Sequence, residues 1–257
     1  MNAVTLDVVD GVARLVLNRP DKLNAISPGL LEDLGDACAA IERDARVRVV
    51  TLTGSGRAFC AGADLAVVQE VAGDAARWRS FIDLWHRVFN RLEALPRVVI
   101  AGVHGLALAG GLELVLVCDL VVADEQARLG DQHANFGLVA GGGGSQRLPR
   151  VIGARRAKEL MLLGGWLDAR EAAAWGLVNR LAPAGKLAET LDALVAELLG
   201  KSVSASATVK TLVNRGLDLD LQDGLELEKV LVGEHMRSAD AAEGLRAFAA
   251  KRRPNFD

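Results

Sequence analysis

Two short, largely apolar runs, Val4–Val9 and Val12–Leu17, are separated only by Asp10-Gly11. Such runs suit strands, and Asp-Gly is a favoured two-residue turn. The pattern predicts a hairpin of Val4–Val9 and Val12–Leu17, ended by Asn18-Arg19-Pro20. Ser27-Pro28 then reads as a helix N-cap followed by proline at the first helical position. A helix is expected from there to Arg43. Residues 47–53 predict a buried strand that ends in Gly54-Ser55-Gly56. From Asp74 to Ala94 the period becomes helical: Trp78, Phe81, Trp85 and Phe89 form a stripe, and Pro96 closes it. Residues 98–103 predict another strand and 110–118 a helix. Residues 120–123 and 128–129 read as short strand-like pieces. Asp168-Ala169-Arg170-Glu171 and Asp240-Ala241-Ala242-Glu243 resemble capping boxes. After Asp192 the chain is nearly all helix-like. The order predicts an α/β body over residues 1–191 and a helical region over 192–257.

Composition narrows the class. The 257 residues are about half apolar and a quarter charged, as in ordinary globular proteins. A net charge of -3 gives no electrostatic footprint for nucleic acid. No uncharged apolar stretch reaches the roughly 20 residues that cross a bilayer. The start lacks the basic and apolar regions of a signal peptide. Cys38, Cys60 and Cys118 lack metal-like spacing and read as reduced thiols. A cytoplasmic protein without membrane or nucleic-acid partners is expected. The chain has no tyrosine, which excludes a tyrosyl proton donor.

Two glycine-rich turns carry the candidate chemistry. Gly56-Arg57-Ala58-Phe59-Cys60-Ala61-Gly62-Ala63-Asp64-Leu65 is one; Leu106-Ala107-Leu108-Ala109-Gly110-Gly111-Leu112-Glu113 is the other. Each follows a β-like run and leads into a helix-like one. Such a turn leaves backbone N–H groups unpaired at a helix start. Two of them facing one point make an oxyanion hole. Glu113 sits one helical turn beyond the second, placed to move a proton. A phosphate-cradling role for Gly141-Gly142-Gly143-Gly144 is not supported, because no Gly-Lys-Ser/Thr follows.

These turns resemble the two oxyanion turns of the crotonase, or enoyl-CoA hydratase/isomerase, superfamily, and the likeness spans the chain. Asn18-Arg19-Pro20 through Asn24-Ala25 is similar to its early loop. Gly143-Gly144-Ser145-Gln146-Arg147-Leu148-Pro149 resembles its post-catalytic loop and helix. Ala242-Glu243-Gly244 and Lys251-Arg252-Arg253-Pro254 resemble its C-terminal signature. The resemblance implies a spiral of ββα units with a C-terminal helical trimerisation region, giving a homotrimer or a hexamer. It implies acyl-CoA thioester substrates, with coenzyme A carried by the substrate and no separate cofactor or metal. The N–H groups of Ala63 and Gly110 would hold the thioester oxygen, and Glu113 would be the first catalytic glutamate. Lys22 and Arg57 become contacts for CoA phosphate or ribose. Ala25, Ala61, Asp64, Leu65 and Gly141 fall along the substrate path. Trp78 or Phe81 would limit acyl chain length. Phe248 and Lys251 would reach a neighbouring subunit's CoA.

The chain departs from the family at the second catalytic position. Where hydratases carry Phe-Gly-x-Pro-Glu, it reads Leu129-Gly130-Asp131-Gln132-His133, and Ala140 replaces a common proline. His133 stands in place of the second glutamate. Histidine remains a competent acid or base near neutral pH. With residues 131–133 extended, Asp131 and His133 would share one side, and Asp131 would orient the ring. The alternative is that Asp131 caps a turn and His133 lines the pocket. His104 reads as structural, and His86 and His235 as surface or interface residues. The expected activity is hydration of a 2-enoyl-CoA. Isomerisation, decarboxylation and thioester hydrolysis use the same oxyanion logic and stay open. A non-catalytic acyl-CoA-binding subunit is the rival of another class, and the retained Glu113 argues against it.

Overall fold

The structure, a computed structural model, describes residues 2–256. It opens on the expected hairpin: β1 (Val4–Val9) pairs antiparallel with β2 (Val12–Leu17). Asp10 and Gly11 both take positive φ, 51° and 79°, which matches the turn to the twist of the strands. α1 (Pro28–Arg43) begins at the expected cap, with Ser27 Oγ accepting from the Leu30 N–H. β3 (Val49–Gly54) is followed by α2 (Leu65–Val71). The hydrophobic pattern does not announce α2, because only Val71 in it is buried. α3 (Ala75–Ala94) is capped by Asp74, which accepts from the Ala76 and Arg77 N–H groups.

Consecutive strands then go to different sheets. β4 (Val98–Val103) joins a large sheet, β5 (Leu106–Leu108) a small one, and α4 (Gly110–Leu116) comes after them. β6 (Leu120–Asp124) joins the large sheet and β7 (Arg128–Gly130) the small one. α5 (Gly144–Ile152) and α6 (Ala154–Leu163) come next. β8 (Trp166–Asp168) returns to the small sheet, and α7 (Ala169–Ala174) starts from Asp168, which accepts from the Glu171 N–H as the capping pattern requires. β9 (Arg180–Ala182) is the last strand of the large sheet, whose order is β1-β2-β3-β4-β6-β9, parallel from β2 onward. This repeated distribution of strand, strand, helix is the expected ββα spiral.

The chain ends in α8 (Leu187–Leu199), α9 (Val203–Gly216), α10 (Leu221–His235) and α11 (Ala239–Ala249). One face of the large sheet, with Val12, Val49, Ile100 and Val122, meets Leu191, Leu194 and Val195 of α8. The division expected after residue 191 therefore falls inside a helix that covers the sheet. The opposite face forms the main core with α1, α3 and α4. The cap expected at Asp240 is displaced. Ser238 caps α11 by accepting from the Ala241 N–H, two residues earlier, and Asp240 instead accepts from the hydroxyls of Ser202 and Ser204. α9 buries only Lys210, and α10 buries none of its residues. Among the described residues, no helix is long and apolar enough to cross a membrane.

Candidate active site

β5 and β7 run parallel, in the register Leu106↔Arg128 to Leu108↔Gly130. The segments that continue from these two strands therefore leave the small sheet at the same edge. After β5 comes the first turn of α4, with Gly110 and Glu113. After β7 come Asp131 and His133. The two segments stay joined past the strands, since the Ala109 N–H donates to Gly130 O at 2.9 Å.

The other turn is stitched to this edge by an isolated bridge between Cys60 and Ala107. The Cys60 N–H donates to Leu106 O and the Leu108 N–H donates to Cys60 O, both at 3.0 Å. A second bridge joins Ile26 and Ala63: the Ile26 N–H donates to Gly62 O, and the Asp64 N–H donates to Ile26 O. That pairing engages the residues on either side of Ala63 and turns the Ala63 N–H to the opposite side. The Gly110 N–H is the first donor of α4 and has no i−4 carbonyl. Ala109, just before it, holds φ 49° and ψ −115°, a conformation non-glycine residues rarely adopt. A Cβ placed on Gly62 would lie 3.6 Å from Gly110 N, which shows how closely the turns approach. Two backbone donors without acceptors among the described residues, from Ala63 and Gly110, thus occupy neighbouring turns.

Glu113 is buried at the base of this arrangement. Its Oε1 accepts from the Gly142 and Gly144 N–H groups, each at 2.8 Å. Its Oε2 has no hydrogen-bond partner among the described residues. Burial pushes the carboxyl above its usual range, while the Gly144 and Gly142 donors and the His133 charge pull against that. The glycine run thus serves a carboxylate of its own chain. Sequence reading could not find this, because the contact spans 29 and 31 residues.

His133 meets Asp131, but not through an extended strand. Residues His133–Phe136 form a 3-10 turn. Asp131 Oδ1 accepts from the His133 backbone N–H at 3.1 Å and lies 3.0 Å from ring Nδ1. A two-residue side-chain turn makes the contact that extension was expected to make. Both alternatives raised by the sequence are therefore combined in one residue: Asp131 caps the turn and orients the ring. Burial lowers the His133 pKa, but the hydrogen bond and charge of Asp131, with the charge of Glu113, raise it overall.

The other expected site residues divide. Phe81 is buried and stacks edge-on between Trp78 and Trp85, with ring centroids 6.4 and 5.5 Å away; Trp78 is exposed. Asp64 is already engaged, capping α2 through the Ala66 N–H and pairing with Arg19 at 2.8 Å. Arg19 also donates to Ala25 O, so this pair fixes the Ala25 and Ala63 segments together. Ala61 and Gly141 are partly buried, while Leu65, Lys22 and Arg57 are exposed. Phe248 and Lys251, at the end of α11, are exposed, and α11 has no extensive packing on α4 or α5. His104 is structural, bonding Gly56 O at 3.0 Å. His86 is half-buried: its Nε2 donates to Gly141 O at 2.8 Å and anchors the glycine run to α3. Asn24, fully buried with φ 57°, donates to Ser55 O and Ala58 O and ties the early loop to the first turn. Among the described residues, no three His, Cys, Asp or Glu side chains converge as a metal site. Cys60 is buried beside the first turn, and burial pushes its thiol up to about 12, where it is not a nucleophile at neutral pH.

Comparison with known proteins agrees with this geometry. The model of the enoyl-CoA hydratase/isomerase family matches residues 7–257. A crotonyl-CoA hydratase from Syntrophomonas wolfei is 35% identical over 98% of this chain and 97% of its own. A short-chain-enoyl-CoA hydratase from Clostridium acetobutylicum is likewise 35% identical, with the same coverage of both chains. The crystal structure of an enoyl-CoA hydratase from Bacillus anthracis superposes with a TM-score of 0.93 at 36% identity, covering 99% of this chain and 98% of that one. With matched sequence, fold and paired turns, the chain belongs to the enoyl-CoA hydratase/isomerase family of the crotonase superfamily.

Proposed function

We propose that the protein hydrates a 2-enoyl-CoA, with Ala63 and Gly110 as the oxyanion donors and Glu113 and His133 as the acid–base pair. The observation that carries this reading is the pairing of two unengaged N–H groups with a buried carboxylate that keeps one oxygen free. The thioester oxygen accepts from both N–H groups, and their fixed dipoles favour the enolate over the ground state. Water gives a proton to Glu113 Oε2 as its oxygen bonds to Cβ. The π electrons of the double bond move toward the thioester oxygen. His133, held as imidazolium by Asp131, returns a proton to Cα. Proton exchange with solvent then restores both residues. Coenzyme A enters with the substrate, and no step needs another group. Relatives named for crotonyl-CoA and short-chain substrates support a short acyl chain.

The test is a panel of CoA thioesters read by mass spectrometry. Gain of one water on short 2-enoyl-CoAs supports the reading. Loss of carbon dioxide, release of free CoA, or no product across the panel removes it.

The C-terminal helices support assembly into a trimer or a hexamer. Val209, Val213, Leu217, Leu221, Leu225 and Val230 are exposed on α9, α10 and the turn between them, more apolar surface than a monomer is expected to leave to water. Light scattering at micromolar concentration should give a multiple of 27.1 kDa, and a monomer would contradict it.

A further inference from the structure

His86, Asn90 and Glu93 recur at helical spacing on α3, and all three meet the segment that runs from Gly141 into α5. Arg147 Nη2 donates to Glu93 and Asn90 at 2.6 and 2.7 Å, which fixes the first turn of α5. His86 holds the other end of the segment through Gly141 O at 2.8 Å. That carbonyl belongs to the same peptide group as the Gly142 N–H, which donates to Glu113 Oε1 at 2.8 Å. The peptide is trans, so its C=O and N–H point in opposite directions. His86 and Glu113 therefore lie at the two ends of one peptide plane. Among the described residues, no other hydrogen bond reaches either of its polar atoms. The second donor to Oε1, the Gly144 N–H, stands at the first residue of α5 and is placed by that helix instead. A Cβ on Gly142 would lie 2.6 Å from Glu113 Oε2, so this peptide approaches the carboxylate too closely to carry a side chain.

We propose that His86 is a positioning residue for the general base: its Nε2–H aims and strengthens the Gly142 N–H that holds Glu113 Oε1. The inference rests on the hydratase reading and adds a residue to it that touches no substrate. A hydrogen bond accepted at a peptide carbonyl polarises the amide and makes its N–H a stronger donor. It also stops the plane from turning, which no helix or strand ladder prevents here. A fixed, strong donor favours the charged form of a carboxyl. Glu113 needs that support, because its burial favours the neutral acid, which cannot take a proton from water. Nε2 carries a proton both in imidazolium and in the Nε2–H tautomer, so the contact serves in either state of the ring. His86 keeps its proton throughout the reaction.

The experiment follows hydration of crotonyl-CoA against pH in variants of His86. His86→Phe keeps a ring and removes the donor, and His86→Leu carries the test if that variant misfolds. In either, kcat should fall by roughly tenfold, the worth of one well-placed hydrogen bond, with KM little changed. The acid limb of the profile, where Glu113 takes up its proton, should move to higher pH, because a weaker donor leaves burial less opposed. The other groups that face Glu113, which are His133, Asp131 and the Cys60 thiol, stay in place in these variants. His86→Gln keeps an N–H donor at the place of Nε2 and should return both kcat and the limb toward the parent. Asn90→Ala loosens the same segment without touching this peptide and should leave the limb where it is. Parent-like kcat and limb in His86→Phe overturn the proposal. So does a fall in kcat with the limb unmoved, a loss that His86→Gln fails to restore, or an equal shift in Asn90→Ala, each of which marks His86 as packing only. Absence of hydration in the unaltered protein would instead remove the hydratase reading, so the two failures are distinct.

Discussion

The buried Asp131 carboxylate holds His133 twice through one oxygen, accepting from the backbone N–H at 3.1 Å and facing ring Nδ1 at 3.0 Å. This fixes the ring and places a proton on Nδ1, leaving Nε2 without a partner among the described residues and available for chemistry. His133→Ala should lower hydration by roughly a hundredfold or more. The raised His133 pKa means that imidazolium persists above the ordinary value near 6.5. With imidazolium as the donor, the rate falls as pH rises through that raised value. Asp131→Asn should move this basic limb downward with little change in KM. The linkage has the same sign for stability: the contribution of the contact is complete below the unfolded pKa and is lost as pH rises through the folded one. A pH–rate profile unmoved by Asp131→Asn would leave His133 as a pocket wall.

Gly110→Pro deletes one oxyanion donor at a helix position that accepts proline. Turnover should fall by roughly a hundredfold to a thousandfold, and acyl-CoA binding far less. Because a side chain at this position would meet Trp85, circular dichroism must first show a native fold. A folded variant with unchanged turnover would place the oxyanion elsewhere.

Glu113→Gln should separate stability from activity. The raised pKa of Glu113 means that the fold favours its neutral form, so stability is lost as pH rises through that value. Glutamine is neutral, and its Oε1 can still accept from Gly142 and Gly144. Melting temperature at pH 7 should hold or rise, while turnover falls by roughly a hundredfold or more. A marked loss of stability would show that Glu113 is structural.

The legible parts of the fold were those encoded locally. The hairpin register follows from the Asp10-Gly11 turn, and the starts of α1, α3 and α7 follow from the caps Ser27, Asp74 and Asp168. β5, β8 and β9 have three residues each and take their form from tertiary partners, so no period marks them. The site divides in the same way. Glu113 and the two turns stand out in sequence because a helix start and its glycines are adjacent. The donors to Glu113 at Gly142 and Gly144, and the His86 anchor at Gly141, join distant elements.

Lys210 ties the helical tail to the body. Its Nζ lies 2.8 Å from Asp119 Oδ2 and donates to Arg97 O at 3.0 Å, with its side chain only 7% exposed. Lys210→Met leaves Asp119 without its cation and should destabilise by about 3–5 kcal/mol in urea unfolding. Lys210→Met with Asp119→Leu should recover much of that loss. A single variant within about 1 kcal/mol of the parent, as for an exposed pair, would show that the bridge is unimportant.

Hydration itself is tested most directly by crotonyl-CoA turned over in deuterated water enriched in oxygen-18. The expected product is a 3-hydroxyacyl-CoA that carries one solvent oxygen at Cβ and one solvent deuterium at Cα, formed by the parent protein and nearly abolished in Glu113→Gln. Deuterium incorporated at carbon with no oxygen added, or no incorporation of either, would contradict the hydratase reading.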